Sequence, residues 1–257
     1  GPEVTLIPQP ISFAIIFAWF TGDPQSYHSL LAGKSILSAA AHGGMVEIQA
    51  EDVRLIFCDG ANIRHYFPGE ELPEKHQLQV EFEDFSSLVC SVQMYGALWA
   101  LGEGRTEGYN ECARRKPSPF SDDFNQSYFQ ALFKEEDGKL SVKAFLATKQ
   151  RIPGLGNGVL QDILFNARVH PKSKMSTLSD NELTSIYNAV KNTLFEMALN
   201  GGRDTERDLF GCSGGYRTIL SAKTAGKPCP VCGSAIICEP YLGGKIYFCP
   251  ECQKLKK

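Results

Sequence analysis

The chain has 257 residues, 43% of them apolar and 21% charged, with 26 Lys+Arg against 29 Asp+Glu. That length suits one large domain or two small ones, and the composition excludes a largely disordered chain. The charge is unevenly spread: residues 1–140 carry ten Lys+Arg against twenty Asp+Glu, and residues 141–257 carry sixteen against nine, which points to an anionic partner for the C-terminal part.

The most apolar window, residues 6–21, contains Pro8, Gln9 and Pro10. It reads as buried structure, not as a membrane span or signal peptide. A short helix is expected from Ser26 to Gly33. Period-2 runs follow at close spacing: 45–49, 53–57, 77–82 and 87–92. Such alternation predicts antiparallel strands with one buried face, in two packed sheets or a flattened barrel. Residues 115–140 turn polar, with a short helix from Gln126 to Phe133. From Lys139 the apolar period becomes helical, through Leu140, Val142, Phe145 and Leu146. Pro153-Gly154-Leu155-Gly156-Asn157 stops that helix, and a second runs from Gly158 to Ala167. Ser179 and Glu182 form a capping box ahead of a longer helix with Leu183, Ile186, Val190, Leu194 and Met197 on one face. Gly201-Gly202 ends it. The expected domains are a β domain over 1–116, a linker over 117–139, a helical domain over 140–221 and a zinc finger over 222–257.

The strongest chemical signal is Cys229-Pro-Val-Cys232, sixteen residues, then Cys249-Pro-Glu-Cys252. Two such knuckles supply four thiolates in a tetrahedron, as one structural zinc ion requires, and leave no open position for catalysis. A redox dithiol pair and unpaired buried thiols are the alternatives. Nine cysteines, an odd number with four in CxxC pairs, favour a reducing compartment over a disulfide framework. The β formers between the knuckles predict a hairpin. Cys238 lies outside both knuckles and is expected to be a buried thiol. The helix–Pro-Gly-Leu-Gly-Asn–helix stretch is the second signal. Its glycines permit close backbone approach, and the new helix N-terminus offers free N–H groups and a positive dipole end to a phosphate.

These stretches together resemble the formamidopyrimidine-DNA glycosylase / endonuclease VIII family. The resemblance is carried by LPEKHQLQVEFED from Leu72, PSPFSDDF from Pro117, QRIPGLGNGVLQDILFNARVHP from Gln150, LSDNE from Leu178, GGRDTERD from Gly201 and the two cysteine knuckles through Lys254. It covers residues 70–257 well and 1–69 poorly. It implies an α+β fold: an N-terminal β-sandwich, a helix–two-turns–helix domain and a C-terminal zinc ribbon. It also implies a base-excision-repair DNA glycosylase with abasic-site lyase activity on damaged double-stranded DNA, monomeric and in the bacterial cytoplasm. In that family the amine of an N-terminal proline attacks the sugar and forms a Schiff base. A neighbouring glutamate acts as acid/base on a nucleotide turned out of the stack. Pro2 and Glu3 resemble that pair, with the Pro2 amine free only when Gly1 is absent. The same stretch also resembles a second Pro-Glu pair a few residues inside the family N-terminus. In that register the proline is missing and the protein would bind damaged DNA without chemistry. The resemblance further implies DNA contacts by His76, Arg151 and Asn157, and a late-elimination role for Lys245 on the ribbon. Two departures imply weaker chemistry: Gly43-Gly44 replaces a family lysine, and uncharged Gln93-Met94-Tyr95 stands where the family has arginines.

Overall fold

The computed structural model describes residues 20, 23, 25–93 and 96–256, and the backbone of 3–5. Pro2, Met94, Tyr95 and most of the apolar window 6–21 lie outside the described residues. The chain divides into two compact units. The first holds residues 1–114 together with 208–212, and the second holds 115–207 and 213–257.

The first unit contains β1 (Glu3–Thr5), α1 (Ser26–Leu31), β2 (Ile36–His42), β3 (Met45–Ala50), β4 (Val53–Phe57), β5 (Ala61–Tyr66), β6 (Leu78–Glu81), β7 (Ser87–Val92), β8 (Leu98–Leu101) and α2 (Gly108–Arg115). They form two four-stranded antiparallel sheets, ordered β1-β6-β7-β5 and β2-β3-β4-β8. The alternation read from the sequence puts Ile48, Val53, Leu55 and Phe57 of the second sheet in one core with Leu78, Val80 and Cys90 of the first, and Tyr27 and Leu31 of α1 close that core. This is a sandwich, and burial of these side chains is its main driving force. The opposite face of β4 is buried too: Ile56 packs with Met45, Trp99, Leu101 and Ala113 of α2.

The second unit contains α3 (Gln126–Ala131), a short 3₁₀ turn over Glu135–Lys139, α4 (Val142–Ala147), α5 (Asn157–Asn166), α6 (Asp180–Leu199), β9 (Ile237–Tyr241) and β10 (Gly244–Phe248). Ser179 and Glu182 make the capping box of α6. Phe124, Phe145, Leu160, Ile163, Leu164, Ile186 and Val190 are central to one helical core. A smaller cluster, Phe165 with Leu220, Cys229, Ile236 and Cys249, ties α5 to the cysteine ribbon. Cys238 corrects the sequence reading. It is exposed on β9, because among the described residues this strand pairs only with β10 and the face that carries Cys238 is uncovered.

One polar group is built into the β domain. Glu47 is 7% exposed and accepts from Arg114 at 3.1 Å, from Arg54 at 3.5 Å and from Asn110 at 3.4 Å. Removing its carboxylate strands Arg54 and Asn110 with fewer acceptors. Glu47→Ala is therefore expected to lower stability by about 2–3 kcal/mol, short of a fully buried pair because Arg114 is part-exposed. Urea unfolding checks this, with Glu47→Gln expected to lose less.

Candidate nucleic-acid interface and metal centre

The site in the second unit is built on the turn between α4 and α5. Ser141 caps α4 by accepting from Ala144 N–H at 3.2 Å. After Ala147 the helix cannot continue: Lys149 and Gln150 adopt left-handed φ of 57° and 49°, and Gly154 one of 79°. Buried Ile152 and Leu155 pin the turn to the core. The α5 helix then begins at Asn157, which is exposed. Its first-turn N–H groups have no helical acceptors and sit at the positive end of the dipole.

Arg151 is placed otherwise than expected from sequence. It is buried, and its guanidinium donates to the carbonyls of Phe145 and Thr148, pairs with the buried carboxylate of Asp137, and lies 4.8 Å from the Phe145 ring centroid. It caps the C-terminal carbonyls of α4 from inside the unit, so its contacts are those of a structural brace and not of a surface phosphate ligand.

Asn157 and Lys245 do come together. Lys245 is exposed on β10, and its carbonyl accepts from Asn157 Nδ2 at 3.0 Å and from Gln161 Nε2 at 3.2 Å. Lys143 of α4 joins them, unforeseen from the sequence. It is 4% exposed and donates from Nζ to the Tyr241 carbonyl at 2.7 Å. A Cβ on Gly244 would lie 3.5 Å from Asn157 Nδ2 and 3.8 Å from Lys143 Nζ. Burial pulls the Lys143 ammonium below the usual lysine range. Its signal was present in the sequence: a lysine between Val142 and Phe145, in a run otherwise apolar. Lys172 stands 5.1 Å from the Tyr241 ring centroid and pairs with Glu239 at 2.6 Å. The hairpin is thus tied to the helical core by cations of α4 and of the segment after α5.

Arg203 lies against the start of α5. A Cβ on Gly158 would sit 2.5 Å from both terminal nitrogens of Arg203, whose guanidinium is held by Glu206 at 2.6 Å. Glycine at 158 is what lets the guanidinium approach the helix backbone.

In the first unit, His76 is 5% exposed. Its Nδ1 is 2.9 Å from the Pro73 carbonyl, and its Nε2 is buried without a partner among the described residues. The backbone of Glu3 lies in β1, paired with Glu81. Gly43 and Gly44 make the β2–β3 turn, with Gly43 at φ 61°.

The four knuckle cysteines converge. Their sulfur atoms lie within 4.8 Å of one another, with Cys229–Cys252 at 3.8 Å and Cys232–Cys249 at 3.4 Å. A tetrahedron with metal–sulfur bonds of about 2.3 Å has edges of roughly 3.8 Å, so this cluster could hold a metal ion. Hydrogen bonds from Ser234 hold the Cys232 thiol down to about 6, while burial pushes the Cys249 and Cys252 thiols up.

Three comparisons place this geometry. Residues 116–208 match a sequence profile described as the formamidopyrimidine-DNA glycosylase H2TH domain. A formamidopyrimidine-DNA glycosylase of Escherichia coli O6:H1 is 31% identical over 201 residues, 73% of this chain and 70% of that protein. One from Cronobacter sakazakii is 29% identical over 99% of this chain and 96% of its own length. In Prochlorococcus marinus relatives, 32% and 31% identical, the match spans 63% of this chain and only 59% of theirs. The fold is that of the MutM (Fpg) protein of Thermus thermophilus, with a TM-score of 0.76 at 24% identity, covering 93% of this chain and 89% of that one. It is likewise that of Lactococcus lactis Fpg in a complex with abasic-site DNA, with a TM-score of 0.76 at 20% identity, covering 90% and 86%. A β-sandwich unit, and a helical unit that carries a four-cysteine ribbon, define the fold class. Within it, the chain belongs to the formamidopyrimidine-DNA glycosylase family. Among the described residues no helix is long and apolar enough to cross a membrane.

The packing of Arg203 on Gly158 reverses an ordinary expectation. Alanine in a first helical turn stabilises over glycine by up to about 1 kcal/mol. Here Gly158→Ala must displace Arg203 from Glu206, and it is expected to be neutral or destabilising by about 1 kcal/mol. In an Arg203→Ala background the same change should become stabilising. Thermal unfolding of the four proteins checks the change of sign.

Proposed function

We propose that this protein is a base-excision DNA glycosylase with abasic-site lyase activity on damaged duplex DNA. The observation that carries the reading is the junction of Asn157, at the free N-terminal end of α5, with Lys245 on the cysteine ribbon. There a helix N-terminus and a side-chain amide lie beside the strand that carries exposed Lys245, which supports a grip on a phosphate backbone. The family to which the chain belongs bears the name of this activity.

In this reading the Pro2 amine attacks C1′ of the damaged nucleotide. The carbon–base bond breaks and the base leaves with a proton. The nitrogen, now bonded to C1′, sheds its own proton, and the C1′–O4′ bond then breaks with its electron pair going to O4′, which takes up a proton, leaving nitrogen and C1′ as an iminium. Glu3 moves the protons. His76 and Asn157 hold the strand, and Lys245 supports the later elimination step. Arg151 has no part in DNA contact. The Gly43-Gly44 turn carries no side-chain amine, so proton transfer during elimination is slow, and base excision or abasic-site nicking is weaker than binding would suggest. The protein acts as a monomer in the bacterial cytoplasm, in keeping with its bacterial relatives and its free thiols.

Borohydride trapping on abasic-site duplex tests the chemistry. The chain beginning at Pro2 is expected to become covalently attached, and the chain retaining Gly1 is expected to stay free. Equal attachment of both would move the nucleophile to another amine. Attachment of neither would leave a DNA-binding protein without this chemistry.

The four cysteines are proposed to bind one structural zinc ion. Its coordination energy is folding energy for the ribbon. Reduced, freshly purified protein should contain one equivalent of zinc. Chelation should disorder residues 222–257 and abolish DNA binding, as read by metal analysis and circular dichroism. Full DNA affinity in metal-free protein would overturn the assignment.

A further inference from the structure

We infer that Gln161 is a positioning residue that sets which end of the Asn157 carboxamide faces outward and holds the Lys245 strand in register with it. The inference rests on the roles proposed above for Asn157 and Lys245. Gln161 is 4% exposed and uses both ends of its side chain. Its Oε1 accepts from the Tyr247 N–H at 3.0 Å. A backbone N–H can only donate, so this contact fixes the oxygen end. Its Nε2 then donates to the Asn157 carbonyl at 2.9 Å, to Asn157 Oδ1 at 3.1 Å and to the Lys245 carbonyl at 3.2 Å. Two of these partners are backbone carbonyls, which can only accept, so the nitrogen end is fixed by the same logic.

The consequence passes to Asn157. Its Oδ1 must face the Gln161 amide, and its Nδ2 must face the Lys245 carbonyl at 3.0 Å. One Nδ2 hydrogen satisfies that carbonyl. The other remains on an exposed residue at the head of α5 as a donor. With the amide turned around, Asn157 would present an oxygen to a phosphate, and two acceptors would repel. One buried glutamine thus determines the polarity of a surface amide and ties it to a strand more than eighty residues on.

The near-isosteric variant Gln161→Glu separates this role from packing. One carboxylate oxygen still accepts from Tyr247, but the other cannot donate and faces three acceptors. Asn157 must then turn its Nδ2 inward. Duplex DNA with a tetrahydrofuran abasic analogue is titrated against wild type, Gln161→Glu, Asn157→Ala and the double variant. Zinc content and thermal midpoint are measured on each. Gln161→Glu is expected to weaken binding about tenfold, the scale of one charge-assisted hydrogen bond. In the Asn157→Ala background the further loss should be under about twofold, because the two residues act as one unit. Equal losses in both backgrounds, or a loss that tracks zinc content or thermal midpoint, would overturn the inference. If wild type itself does not bind this duplex, the proposed function fails instead. The free protein then decides: the Asn157 side-chain amide resonances should move in Gln161→Glu, and unmoved resonances would overturn the positioning role.

Discussion

The second unit depends on α5 being shared by three structures at once. Leu160, Ile163 and Leu164 enter the helical core. Phe165 enters the cluster around Cys229 and Cys249. Buried Asp162 accepts the N–H groups of Ile219 and Leu220 at 2.9 and 2.7 Å, so the segment leading into the ribbon is fastened to the same helix. Burial pushes the Asp162 carboxyl up, while those N–H groups pull it down. A ten-residue helix would be marginal alone. Here its stability comes from neighbours on nearly every side, and its first turn is fixed as a result.

That arrangement pre-organises the head of α5 for the phosphate contact proposed above. A surface amide on a frayed helix end samples many rotamers and loses entropy when it grips a ligand. Asn157 is held by the ribbon before any partner arrives. The ribbon is in turn held by Lys143 at the Tyr241 carbonyl and by Gln253, whose side chain donates to the Val169 carbonyl at 2.9 Å. The cysteine cluster therefore reaches the surface through backbone hydrogen bonds and contributes no ligand of its own.

Sequence reading succeeded where one element carried its own signal. The β3, β4, β6 and β7 strands alternate and were legible. The β2 strand, Ile36–His42, is exposed along six of its seven residues and has no alternation to read. Every residue of β5 is half-buried, and β8 is only four residues long with all four buried. The α2 helix, GYNECARR, is polar enough to pass for linker. At the site, the turn before Asn157 and the cysteine knuckles were legible because their residues are close in sequence. The placement of Arg151 was not legible, because nothing local distinguishes a guanidinium turned inward onto α4 from one turned outward. Gln161 left no trace, since its ribbon partners lie 84 and 86 residues away.

The division of the chain has a consequence for the order of folding. The first unit is not continuous: residues 208–212 belong to it, and the Leu209 carbonyl accepts from the His65 N–H of β5 at 2.8 Å. During synthesis, residues 1–114 leave the ribosome well before that carbonyl exists. Both core clusters of the sandwich lie before residue 115, so it can pack first, with the edge of β5 open at His65 while most of the helical unit is made. Unpaired strand edges of this kind invite association between nascent chains. A fragment cut after residue 114 would keep that edge open permanently, so a gene boundary drawn there would not follow the boundary between the packed units.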